Sequence, residues 1–210
     1  MELVIQDMAG VHNKDLQATG ARLIKGATWK QQRIIVIIPS AAMIPAKVAL
    51  SHWHLAFPPN NGVMRILAIG DEVGVAYSQA IEQILNHPEL SKWEYILTLE
   101  HDNCPPSDGV LKLLEQMDAH PEFACVGGLY FTKGLGGVAQ IWGDPRGDLN
   151  FRPQVPIPNA LQECRGTGMG FNLWRLSMFK DPKLRRPWFK TQTKDGVATQ
   201  DLYFWADAQR

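Results

Sequence analysis

Cysteine is scarce in this sequence. Cys104, Cys125 and Cys164 are the three present, widely separated and odd in number. None forms a CxxC pair, so zinc-ribbon chemistry has no support, a disulfide framework is not expected, and a reducing cytosol suits the chain. Charge of one sign is lacking too. Lys and Arg total 21 against 21 Asp and Glu, which gives no global basic field for a charge-driven nucleic-acid partner or an anionic membrane. The local group Lys183, Arg185 and Arg186 reads as a solvated face. No apolar run approaches the roughly 20 residues that cross a bilayer. The opening Met1 to Asp7 lacks the basic-then-apolar layout of a signal peptide. The expectation is a soluble, cytoplasmic protein without a transmembrane segment, internal repeats or low-complexity tracts.

What is present suits one α/β domain. The 210 residues are 45% hydrophobic and 20% charged, ordinary values for a globular chain with a sizeable core. Residues 1–32 have weak periodicity and read as an extension packed on the domain or as an arm. The domain proper is expected over 33–210. Ile34 to Ile38 is a continuous β-branched run ending at Pro39-Ser40, the pattern of a strand covered on both faces. Helix spacing follows from Pro45 to Leu55. Val63 to Ile69 reads as a second strand, and a helix carries Val75, Ala76, Ile81, Ile84 and Leu85 to a stop before Pro88. A helix over Val110 to Met117 closes similarly before Pro121. Phe123 to Phe131 reads as a further strand. His87 and His120 read as helix-end residues, and His52 and His54 face apart on a helix.

The stretch from Trp93 to Pro106 carries the most chemistry. An apolar run from Tyr95 to Leu99 stops at two carboxylates one residue apart, Glu100 and Asp102, followed by prolines. Side chains at i and i+2 of a strand point the same way, so both could face one ion. Hard carboxylate oxygens suit Mg²⁺ or Mn²⁺, with substrate phosphates completing the shell. The plain alternative is a solvated turn.

Two further regions stand out. A long irregular stretch rich in Gly, Pro and Asn runs to Asn159, a length that favours a functional loop. Trp142 within it could stack on a sugar or nucleotide ring, or pin the loop to the core. Next, Cys164 to Trp174 alternates glycines with larger residues, marking close backbone approach by a ligand or by another strand. Its glycines do not meet GxGxxG, which argues against a dinucleotide site. Near the end, Thr199 can cap a helix whose first turn holds Asp201, a position the helix dipole favours for an acid.

Taken in order, these motifs resemble those of the GT-A class of nucleotide-sugar glycosyltransferases, in particular the family 2-like group, over roughly residues 33 to 208. Ile34 to Ser40 is similar to that family's first nucleotide-binding strand, and Glu100-His101-Asp102 to its DXD motif. Val126 to Tyr130 is similar to a core strand, Gly166 to Phe179 to the glycine-rich segment lining the cleft, and Pro187-Trp188-Phe189 with Gln200-Asp201 to the closing segment bearing the acidic residue. The resemblance implies a mixed, mostly parallel sheet flanked by helices. It also implies transfer of a sugar from a nucleoside-diphosphate sugar to a hydroxyl of a glycan, lipid or protein, with inversion. Glu100 and Asp102 would hold Mn²⁺ or Mg²⁺ and Asp201 would be the base. Pro39, Ser40 and His101, with Asp71, Ser78 and Gln79, would serve the nucleotide. Asn103, Trp142, Gly168, Met169 and Trp188 would line the substrate site. Many relatives place a metal-binding His beyond the acidic residue, whereas this sequence ends at Arg210. A shortened form, or a metal shell completed differently, is therefore expected. Two other readings compete: a sugar-phosphate nucleotidyltransferase, which would want a basic phosphate loop that Ser40 to Met43 does not supply, and a non-catalytic binding domain of the same fold.

Overall fold

Strand β1, Ile34–Ser40, is buried along its whole length, as its β-branched run requires, and lies inside a five-stranded sheet. The computed structural model describes residues 19–22, 32–59, 62–134, 136–192 and 199–209. Most of the expected N-terminal extension, 1–18 and 23–31, lies outside the described residues. Strand β1 pairs in parallel with β2 (Val63–Ile69) and β3 (Tyr95–Leu99). Beyond β3 the sheet continues with β7 (Phe171–Arg175) and β4 (Cys125–Gly127), giving the order β2-β1-β3-β7-β4. Strand β7 is antiparallel to both β3 and β4 and so runs against the other four. The sheet is therefore mixed and mostly parallel in direction. Two short strands, β5 (Ile141–Trp142) and β6 (Gly166–Thr167), form a separate antiparallel pair.

The period-2 alternation of β1 sorts its side chains to two faces. Ile34, Val36 and Ile38 join Leu97, Leu99 and the helix α3 (Gly109–Ala119) through Val110, Leu111, Leu114 and Met117. Ile35 and Ile37 face the opposite way. They join Tyr77, Ile81 and Ile84 of α2 (Val73–Asn86) and a group of aromatics, Trp174, Phe179, Trp188, Phe189, Phe204 and Trp205. Phe204 and Trp205 belong to α4 (Gln200–Ala208). Each such fully buried side chain contributes about 1.5–3 kcal/mol of hydrophobic stabilisation, which makes these two layers the main hold on the fold.

Helix starts follow local chemistry. Pro45 stands before α1 (Ala46–Trp53), where a missing N–H costs nothing. Glu72 caps α2, its carboxylate accepting from the N–H groups of Gly74 and Val75 at 2.9 and 3.1 Å. The strand expected over Phe123 to Phe131 is shorter than the sequence implies. It spans only Cys125–Gly127, and Gly127 and Gly128 pack closely against the Asn172 and Phe171 side chains of β7. Of the N-terminal segment, Thr19–Arg22 is helical. Arg22 binds the buried Asp108 at 2.9 Å and Glu115 at 3.2 Å, tying these residues to the start of α3.

Candidate active site

The turn after β3 is positioned by its backbone partners. Glu100 donates its N–H to the carbonyl of Gly170 and Asn103 donates to that of Glu100, both at 3.1 Å. The His52 ring meets the Asn103 carbonyl at 3.0 Å through Nε2, and Ser51 donates to Pro105 at 2.9 Å. The His101 ring reaches the Pro39 carbonyl at 3.1 Å through Nδ1. This last contact joins the turn to the end of β1, so the carboxyl ends of two adjacent parallel strands are locked together, the usual place for a ligand in such sheets.

A cleft of about 270 Å³ opens there, lined by Glu100, Asp102, Asn103, Tyr130, Phe131, Thr132, Lys133, Gln140, Thr199, Gln200 and Asp201. Two carboxylates from the β3 turn thus meet a third from the first turn of α4, about a hundred positions further along the chain. Asp201 is only 6% exposed. It accepts hydrogen bonds from the Thr199 hydroxyl and, at 2.8 Å, from the Leu202 N–H. Thr199 makes no side-chain cap to the helix backbone; its hydroxyl is spent on Asp201 instead.

The electrostatics follow from packing acids together away from water. Burial, reinforced by Asp102 and then Asp201, pushes Glu100 up to about 7, with Lys133 acting in the opposite direction. Burial also raises Asp201, opposed by the Thr199 and Leu202 hydrogen bonds. The one cation among the lining residues, Lys133, places its Nζ 2.8 Å from Asp102 Oδ2. Among the described lining residues, three carboxylates thus stand against one ammonium.

The described lining offers the hard oxygen donors that divalent cations such as Mg²⁺ take. Oxygen donors predominate, negative charge is in excess, and Mg²⁺ sites commonly take one or two carboxylates with substrate phosphates and water. Among the described residues no group of three or more His, Cys, Asp or Glu is arranged to hold a metal.

Other candidate residues lie elsewhere. Ser78 is committed to the backbone of Phe189, donating to its carbonyl at 3.1 Å and accepting from its N–H at 3.0 Å. Its hydroxyl is thus engaged with the Phe189 backbone, and it does not line the cleft. Trp188 is 3% and Met169 0% exposed inside the aromatic face of the core. Neither reaches the cleft, because an apolar surface that large is more stable buried. Trp142 is 8% exposed in the β5–β6 pair, which favours the pinning role over ring stacking. Gly168 makes room for Tyr130, whose hydroxyl would lie 2.1 Å from an added Cβ, and Gly170 makes room for Asn103 and Tyr130. The close approach at these two glycines is thus by the side chains of Tyr130 and Asn103, which lie outside the strands, rather than by another strand. Asp71 and Gln79 are exposed and do not line the cleft. Pro39 and Ser40 lie beside it through the His101 contact, and the buried Ser40 Oγ has no hydrogen-bond partner among the described residues.

Lys133 and Gln140 line the cleft with no motif to announce them, and Tyr130, Thr199 and Gln200 line it although the sequence assigns them no site role. Tyr130 bridges the site, its hydroxyl accepting from the Gly170 N–H at 3.0 Å, and burial followed by the nearby Glu100 charge raises its pKa. No family model matches this chain, and comparison with curated proteins finds no match. No helix among the described residues is long and apolar enough to cross a membrane.

Proposed function

We propose that this chain is a metal-dependent glycosyltransferase, moving a sugar from a nucleoside-diphosphate sugar to the hydroxyl of a glycan, lipid or protein acceptor. The observation that carries the reading is the convergence of Glu100, Asp102 and Asp201, from two distant segments, in one cleft at the ends of parallel strands. Expelling a nucleoside diphosphate requires neutralisation of charge developing on the leaving group. A Mn²⁺ or Mg²⁺ held by Asp102 and Glu100 supplies that as a Lewis acid when bound. An adjacent cation also favours the charged form of Glu100, returning it to a carboxylate.

The chain's own residues have separable tasks. Asp201 takes the acceptor proton; its raised pKa moves it toward the range of an effective base at neutral pH. The Thr199 hydroxyl and Leu202 N–H fix the orientation of that carboxylate. Ser40, whose buried hydroxyl at the end of β1 has no partner among the described residues, and the Pro39–His101 junction contact the nucleotide. Asn103 lines the substrate side. Transfer from a face opposite the leaving group inverts the anomeric centre.

A panel of nucleotide sugars with Mn²⁺ or Mg²⁺, scored for free nucleoside diphosphate, tests this reading. Asp201→Asn is expected to lower transfer by about 10²-fold or more, the scale of general-base contributions, with nucleotide binding retained. Pyrophosphate released from a nucleoside triphosphate and a sugar phosphate would favour a nucleotidyltransferase. Ligand binding without turnover would favour a binding domain.

A further inference from the structure

We propose that Lys133 is the diphosphate-binding residue of this cleft, and that its ion pair with Asp102 is a resting contact exchanged when donor enters. The inference rests on reading the cleft as a nucleoside-diphosphate-sugar site. Lys133 is the sole cationic side chain among the described lining residues, and it sits on Asp102, a carboxylate assigned to the metal. Its side chain is 78% exposed against 35% for Asp102. An ion pair this open to water is weak and screened by salt, so stronger partners displace it readily.

The backbone bearing Lys133 is braced. Gln140 donates to the Tyr130 carbonyl at 3.0 Å and Thr132 to that of Val138 at 2.9 Å. The Val138 N–H returns to the Thr132 hydroxyl at 2.8 Å, and Phe131 bridges Ala139. Gly134 and Gly136, with φ of +105° and +74°, allow the chain to reverse beyond it. The residues before Lys133 are thus held by backbone pairing beside the cleft, while its four-carbon side chain is exposed and held only at its tip, by Asp102. That combination suits a compact ammonium that transfers from a carboxylate to the anionic oxygens of a diphosphate.

Two opposite effects follow from one substitution. Without Lys133, Asp102 loses a competing cation and the site loses a repelling charge, so a metal ion alone binds better. Without Lys133, the diphosphate loses a charged hydrogen bond, so nucleotide binds worse. The test uses the full chain as wild type, Lys133→Ala and Lys133→Arg. Mn²⁺ alone is titrated by electron paramagnetic resonance. Uridine, guanosine, adenosine and cytidine diphosphates are then titrated by calorimetry at saturating Mn²⁺.

Lys133→Ala is expected to bind Mn²⁺ alone about two- to fivefold more tightly, the scale of a surface ion pair. It is expected to bind the preferred nucleoside diphosphate about tenfold more weakly, the scale of a charge-assisted hydrogen bond. Lys133→Arg should restore nucleotide affinity. Wild-type binding with both Ala constants unchanged, or with both moving the same way, overturns the role given to Lys133 and leaves the functional reading standing. Failure of the wild type to bind any of the four diphosphates overturns the functional reading itself, and this inference with it.

Discussion

The two faces of the sheet are built from different material. One is mainly aliphatic, with Tyr95 and Phe171 among its buried members: Val36, Leu97 and Leu99 meet Val110, Leu111 and Leu114 of α3. The other is aromatic, with Trp174, Phe179, Trp188, Phe189, Phe204 and Trp205 drawn from β7, the segment after it and α4. Trp174 stacks on Trp205 with centroids 5.2 Å apart and meets Phe204 edge-on at 5.3 Å, while Phe189 stacks on Phe204 at 4.7 Å. Trp205 also donates its indole N–H to the Thr167 carbonyl at 2.7 Å. The aliphatic face holds the sheet to a helix that contributes nothing to the cleft lining. The aromatic face holds α4, and so fixes Asp201 beside Glu100 and Asp102. Stability on the second face is therefore also site geometry.

That difference can be broken by mutation. Trp174→Ala is expected to cost about 3–5 kcal/mol and Leu114→Ala about 2–5 kcal/mol, both from lost burial plus a residual cavity. Denaturant melts measure each loss. At a temperature where both variants remain folded, Trp174→Ala should also lower transfer per folded molecule, because α4 and Asp201 shift, whereas Leu114→Ala should not. Equal activity per folded molecule in the two variants would remove the distinction between the faces.

A smaller effect, of opposite sign, belongs to the cleft. Glu100 has a folded pKa of about 7 against a reference of 4.5. Between those values the folded state holds the proton more tightly than the unfolded state, so stability from this group falls as pH rises through the window. Above about pH 7 the wild type carries the full cost of a buried charge. Glu100→Gln should therefore be more stable than wild type at pH 8, by about 1–3 kcal/mol, in metal-free buffer. The gain should vanish near pH 4, where Glu100 is neutral in both states. Thermal melts at the two pH values check this, and a variant less stable at pH 8 would contradict the electrostatic account.

The legibility of these regions in the sequence follows the same divide. The strand at Ile34 to Ser40, the run from Tyr95 to Leu99 and the helix after Pro106 rest on local periodicity, and each stands where the pattern places it. Glu100 and Asp102 could be singled out as carboxylates one residue apart at a strand's end, and Asp201 only through the resemblance to glycosyltransferase motifs. The aromatic face could not be read locally. Trp188 and Met169 look like ligand contacts in sequence because an aromatic or a Met between glycines and prolines gives no sign of which distant rings will cover it. Ser78 is similar: a hydroxyl on a helix does not reveal that its partner is Phe189, 111 positions away. Lys133 and Tyr130 went unseen for another reason. Their part in the cleft depends on the hairpin return at Gln140, a backbone pairing that no spacing rule encodes.

The central claim is that the acidic cleft binds a divalent ion together with a nucleoside diphosphate. The most direct measurement is the melting temperature of wild type and Asp102→Ala with nucleotide alone and with nucleotide plus Mn²⁺. Ligands that bind the folded state raise the melting temperature by mass action. The account predicts that Mn²⁺ adds a clear increment to the nucleotide's effect in wild type, and that Asp102→Ala, still folded, loses that increment. An increment unchanged in Asp102→Ala would place the ion elsewhere and contradict the account.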